Sequence, residues 1–324
     1  MNIDALNIES ELKKLELHYF FNDSTHTMDA VTRNKCEHEF LEIVKQLGHL
    51  LNLEISIDSE AYQEGGLREL WTILIKKNPQ LVNLIVGVLI GVITSQLTTD
   101  RELTELQKKQ LRLSIEKLEK EKEENNNPEN TTINIEQTLF IINSDIKIKK
   151  HKSNFYNTLS KYHKVTKIET TTLNKNNEPI NDPIEIVRND FPNFILTSDD
   201  LPSVTDESAI IEIISPVLKR GKYKWKGLYD SQTIDFYMKD KLFKESVIQN
   251  KEPFKNGTYI ECVLEISRKV DEFGEVKNSN YSVLTVIKKD DGIATVLTKQ
   301  GKRFKAEKLA ILQQLSLDFE SEDE

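Results

Sequence analysis

The sequence predicts an α+β protein: a small N-terminal α+β domain, a central apolar helix continuing into a charged helix, and a β-rich, barrel-like C-terminal domain. Three observations lead there. The first 76 residues alternate between strand and helix periodicity, residues 78–99 carry no charge, and the chain beyond Ala209 is a succession of short alternating runs broken by turn residues. A length of 324 residues fits about two domains. Hydrophobic residues at 38% and charged residues at 30%, with only 11 Gly and 8 Pro, exclude collagen-like, mucin-like and wholly disordered chains.

The first segment, 1–76, opens with Leu12 to Phe21 (LKKLELHYFF), which reads as a strand running into the turn-rich NDSTHTMDA. From Val31 to Leu51, residues Phe40, Ile43, Val44, Leu47 and Leu51 recur at helical spacing, with Thr32 as the expected N-cap. Leu53 to Ile57 alternates as a second strand, Glu64-Gly65-Gly66 breaks the chain, and Leu67 to Ile75 forms a third apolar strand. His26, Asp29, Cys36, His38 and His49 are near one another in sequence. Cys36 and His38 sit two apart on a helix, where side chains diverge, so a metal site is not expected. The acidic N-terminus has no apolar core of a secretory signal. Cys36 and Cys262 are too few for a disulfide framework and form no CxxC pair, which points to reduced thiols.

Between Lys77 and Asp100 stand 22 uncharged residues, with LVNLIVGVLIGVITSQL at their centre. About 20 helical residues cross a bilayer's hydrocarbon, so the run is just long enough. Gly87 and Gly91 form a GxxxG pair that lets helices approach closely, and Asn83 is the polar residue on the same stripe, a candidate for helix packing or pore lining. Two readings follow: a transmembrane helix, or a helix buried in a folded core or oligomer. Residues 101–124 are strong helix formers with acid and base pairs at i, i+4, a stalk through which a homo-oligomer is expected. The polar stretch 125–130 (NNNPEN) marks a domain boundary.

The remainder, 131–317, is expected to be the β-rich ligand-binding region, ahead of an acidic tail at 318–324. Lys147, Lys149, Lys150, His151 and Lys152 make a basic cluster. Lys164 to Leu173 and Ile184 to Val187 read as strands. AIIEIISPVL, YKWKG, TIDFYM, TYIECVLEIS and YSVLTVIK then supply about five more around a short helix near Lys239 to Val247, and Lys302 to Phe319 closes the chain as an amphipathic helix. Within this region KRGKYKWK has five bases and no acid. Lys219, Arg220, Lys222, Lys224, Trp225 and Lys226 are therefore the candidate ligand-binding residues: cations neutralise phosphates while aromatic faces stack on bases. The alternative is an edge strand guarded by lysines, with Trp225 in the core. The net charge of -9 is uneven: 1–75 and the acidic tail are strongly negative, and the stretch between them is mildly positive.

No GxSxG, HExxH, GxxxxGK[ST] or GxGxxG motif occurs, so an enzyme, a catalytic residue, a metal and a cofactor are not expected. Asp235 with Lys239 and Lys241 has a superficial likeness to a metal nuclease but lacks a second carboxylate.

The strand, the THTMDA turn, the helix and the AYQEGGL turn ahead of an apolar helix and a β-rich end resemble, as a layout, the membrane effectors of Hailong-type anti-phage defence systems. The resemblance implies a non-enzymatic, oligomeric membrane channel at the bacterial inner membrane, most of the chain lying in the cytoplasm. It also implies a nucleotidyltransferase partner whose oligodeoxyadenylate product holds the channel shut. The alternative is a soluble cytoplasmic oligomer that binds nucleic acid or acts as an adaptor, its apolar helix buried.

Overall fold

The computed structural model describes residues 14–23, 27–60, 67–75, 81–97, 139 and 141–320. The chain divides into two compact units, Met1–Ser198 with Asp271–Glu275, and Asp199–Val270 with Val276–Glu324. The division near residue 198 departs from the boundary expected at 125–130. That stretch and the charged segment 101–124 lie outside the described residues.

In the first unit, strands β1 (Lys14–Phe21), β2 (Ile55–Ser59), β3 (Leu67–Ile75), β4 (Val165–Leu173) and β5 (Ile184–Val187) form one antiparallel sheet in the order β2-β3-β1-β4-β5. Alternation sends Leu15, Leu17 and Tyr19 of β1 and Trp71, Ile73 and Ile75 of β3 into one core. Three helices pack into it, α1 (Ala30–Leu51), α2 (Val82–Thr94) and α3 (Ile146–Lys161), and Val165 and Ile168 of β4, Ile186 of β5, Phe191 and Phe194 join them. β4 lies against β1 in a register running from Lys14↔Leu173 to Phe21↔Val165, so a strand expected in the C-terminal domain completes the N-terminal sheet. Helix α1 is capped by Asp29 rather than by Thr32. The Asp29 carboxylate accepts from the Thr32 backbone N–H at 2.7 Å and from its hydroxyl at 2.8 Å, and these bonds hold its pKa below the ordinary value.

Within the uncharged run, Val82–Thr94 forms α2, 13 residues and about 20 Å long at 1.5 Å per residue. Ile85, Val88, Leu89 and Val92 are 0% exposed in the core. Among the described residues no helix is long and apolar enough to cross a membrane, so the inner-membrane span expected from this run is not supported. Among the described residues no second helix backbone lies against the GxxxG stripe. Asn83 is exposed, a Cβ on Gly87 would meet nothing within 4 Å, and one on Gly91 would meet the Leu139 side chain at 2.5 Å. Apart from Asn83, the residues of α2 are buried or half-buried.

The carbonyls ending α2 are satisfied from α3. Tyr156 donates its hydroxyl to Ile93 O at 2.7 Å, and Lys152 Nζ donates to Ser95 O at 3.0 Å and to Asn143 Oδ1 at 3.3 Å. Lys152 is 1% exposed, and burial, with Lys149 nearby, pulls its pKa down to about 7.

The second unit is a barrel. Strands β6 (Asp200–Ser215), β7 (Trp225–Tyr229), β8 (Gln232–Met238), β9 (Tyr259–Val270) and β10 (Val276–Asp290) close in the ring β6-β7-β8-β10-β9-β6. All pairings are antiparallel except β8 with β10, which is parallel. Helix α4 (Lys241–Ile248) lies between β8 and β9 in sequence, a short β11 (Thr295–Leu297) adds to β10, and α5 (Lys299–Glu320) ends the described chain. Ile211, Trp225, Phe236, Ile260, Cys262, Leu264 and Val286 fill the interior. Gly227 is required where β6 and β7 close: a Cβ there would sit 2.5 Å from Ile211 Cγ2 and 2.8 Å from Glu212 O. Asp240 caps α4 by accepting from Phe243 N at 3.0 Å, and its second oxygen accepts from Val286 N at 2.8 Å, tying helix to strand.

Candidate nucleic-acid interface

The basic aromatic segment is the connection between β6 and β7 together with the first residues of β7. A two-residue turn joins β7 to β8: Asp230 at φ 45° and Ser231 at φ 61° take the left-handed conformations of the tight hairpin turn that matches strand twist. Registers pair Trp225 with Phe236 and Lys226 with Asp235, so core and outer residues alternate cleanly across the hairpin. Its outer face carries Lys226, Leu228, Thr233 and Asp235, all exposed, with Tyr237 half-buried.

The loop before β7 is held by α4. Arg220 Nη2 lies 2.5 Å from Glu245 Oε1, and Lys244 Nζ donates to Gly221 O at 2.7 Å. Gly221 adopts φ +138°, and a Cβ there would come 2.6 Å from the Tyr223 ring, so the glycine lets that ring fold over the loop backbone. Tyr223 is 57% exposed. Lys224 reaches over the outer face with its Nζ 5.0 Å from the centroid of the Tyr237 ring. Lys226 is 3.8 Å from Asp235, a loose solvent-exposed pair. Lys219, Lys222 and Lys224 are exposed and form no ion pair with a described residue.

Of the six candidate residues, five are therefore exposed on the loop and the adjoining strand. Trp225 is not: it is 0% exposed, packed against Phe236, Phe243 and Phe254 at centroid distances of 6.1, 6.3 and 5.6 Å. Its assignment as a ligand contact is corrected to a core role, since a ring enclosed by three others has no face left for a base. Tyr237 and Tyr223 take its place as exposed or half-exposed rings beside the cations. Alternation along TIDFYM was the signal for Tyr237, because it puts that ring on the same face as Asp235 and opposite Phe236.

The other basic cluster is no such surface. Lys149, Lys150, His151 and Lys152 are 8, 9, 5 and 1% exposed on α3, and His151 Nδ1 lies 2.7 Å from Glu39 Oε2. Among the described residues no three His, Cys, Asp or Glu side chains gather as a metal site; His38 and His49 are exposed on α1, whereas Cys36 is buried. Asp235 faces Lys226, and Lys239 lies 2.5 Å from Glu265, so each is engaged with a different partner and not with the other.

No protein-family model, curated protein or solved structure matches this chain.

Proposed function

We propose that the C-terminal barrel binds a single-stranded nucleic acid or oligonucleotide across the outer face of β7 and β8 and the loop that precedes them. The observation that carries this reading is the meeting of three lysines and Tyr223 of the β6–β7 loop with the Tyr237 ring of β8 on a closed five-stranded barrel, Lys224 lying over that ring. The topology adds to it. A five-stranded barrel with a helix between its third and fourth strands is the plan of the OB-fold, which takes oligonucleotides on the face of its second and third strands and the loop joining the first two. In this chain those are β7, β8 and the Lys219 to Lys224 loop. The lysines would neutralise phosphates and the rings would stack on bases, a mode tolerant of sequence. The chain acts in this reading as a non-enzymatic binder whose ligand regulates what the remainder does, as in the effectors its layout resembles. The version retained is the one with a buried apolar helix.

Fluorescence polarisation with a labelled single-stranded oligodeoxyadenylate of about 15 residues tests it. Reversing Lys222 and Lys224 to Glu should weaken binding at least tenfold and reduce the slope of log affinity against log salt by about 1.4, from about 0.7 per lost phosphate contact. Tyr237→Ala should lower affinity about 5- to 100-fold while leaving that slope unchanged, because stacking releases no counterions. Absence of binding by the unaltered chain at tens of micromolar, or affinities indifferent to all three changes, would remove the proposal.

A further inference from the structure

The sheet of the first unit ends on β2, and among the described residues β2 pairs only with β3. One step beyond the Ser59↔Trp71 pair, Glu60 N donates to Leu70 O at 2.9 Å. By the alternation of an antiparallel ladder, Asp58 and Ser56 also turn their backbone groups towards β3, and Ile55, Ile57 and Ser59 point theirs at the open edge. The register shows no bulge, and the strand, ISIDS, holds neither proline nor lysine, the usual guards of such an edge. The side chains of Ile55 and Ile57 lie on the helix-covered face, opposite Ile75 and Ile73, yet both are only half-buried. Beside them runs a groove of about 660 Å³ between β2 and the second half of α1, with Ile55, Ile57 and Ile75 on one side and Leu41, Val44 and Gly48 on the other. Leu41 is 37% exposed there.

We infer that β2 and this groove are a docking site for an extended peptide of another protein, in which aliphatic and basic residues alternate and which adds a strand to the edge of the sheet. The open backbone groups of Ile55, Ile57 and Ser59 hold its main chain, and its aliphatic side chains enter the groove over Ile57 and against Leu41. The side chains between them fall on the opposite face of the sheet, beside Ser56 and Asp58. Glu54 and Asp58 are exposed and form no ion pair with a described residue, so lysine or arginine is the complement at those positions. A second copy of the same edge does not supply it. A twofold axis through Ile57 would set Glu54 against Glu60, and one through Ser56 would set Glu54 against Asp58. A small apolar molecule would fill the groove and leave the backbone groups of the edge without partners. The inference concerns the first unit alone and is independent of any ligand on the barrel.

Fluorescence polarisation of the full chain with a labelled octapeptide of alternating valine and lysine tests the site. Saturable binding with a Kd below about 100 µM is expected. A peptide of the same composition with its valines and lysines in two blocks keeps the charge and loses the period, and should bind about tenfold more weakly or worse. Methylating the valine amide nitrogens removes the donors that an antiparallel strand offers to β2, and methylating those of the lysines removes the donors of a parallel one. One methylated set should therefore lose binding while the other keeps it. Leu41→Lys and Asp58→Lys, both at exposed side chains, should each weaken binding by about threefold or more without moving the urea midpoint. No binding at about 1 mM peptide, equal binding of the alternating and block peptides, equal losses from the two methylated sets, or indifference to both substitutions would overturn the inference. A doubled mass of the unaltered chain that Leu41→Lys returns to 37.5 kDa would overturn it too, because a second copy would then occupy the edge.

Discussion

Leu89→Ala should destabilise the N-terminal unit by about 2–5 kcal/mol, the cost of a fully enclosed leucine that leaves a cavity. Leu89 is 0% exposed at the centre of α2, where the helix meets the sheet. Asn83→Ala, on the exposed side of the same helix, should stay within about 0.5 kcal/mol. The contrast tests how α2 is held, because a helix surrounded by lipid would not distinguish these two sides in this way. Urea unfolding followed by tryptophan fluorescence resolves the units separately: Trp71 lies in the sheet core of the first and Trp225 in the barrel of the second. Equal, small effects at both positions would show that the core does not hold the helix.

The second large effect is a pH dependence at Lys152. Its pKa in the fold is about 7 against an ordinary 10.5, so between those values the unfolded chain holds a proton that the folded chain has released. Stability contributed by this group therefore rises as pH increases from about 7 to about 10.5, and is flat below the folded value. At 1.36 kcal/mol per unit of pKa the window is worth on the order of 4–5 kcal/mol. Lys152→Met keeps the length of the side chain, removes the charge, and should flatten the difference in unfolding free energy across that range. Below pH 7 the variant should be the more stable, unless losing the bond to Ser95 O frees the end of α2. A curve parallel to that of the unaltered chain from pH 7 to 10 would show that Lys152 stays protonated in the fold.

Much of the architecture is legible because local patterns and tertiary pairing agree. The period-2 runs became β1, β3, β8, β9 and β10, and the 3.6-period run became α1 within a residue of its expected ends. The barrel interior could be anticipated from alternation, and so could the loop cations. Two expectations failed for physical reasons. An uncharged apolar run has the same composition whether lipid or a protein core surrounds it, so 78–99 could not separate a span from α2; only its partners did. The domain boundary was drawn at a polar stretch, but β4 returns to pair with β1, and strand pairing at long separation leaves no local trace. At the candidate site, Trp225 was drawn into the ligand list by its lysine neighbours. Residues alternate between inside and outside along β7, so adjacency in sequence places Trp225 and Lys226 on opposite faces.

The return of β4 to β1 also sets a timetable for synthesis. β1 finds β3 within about 50 residues but must wait for about 150 before its other neighbour is made. At 5–20 residues per second that interval is roughly 10–30 s, during which one side of β1 offers unpaired backbone groups to any passing strand. Cutting the chain at the polar stretch 125–130 to obtain a free N-terminal domain would make the wait permanent. The fragment would lack β4, β5 and α3, and it should emerge from the ribosome as an aggregating chain.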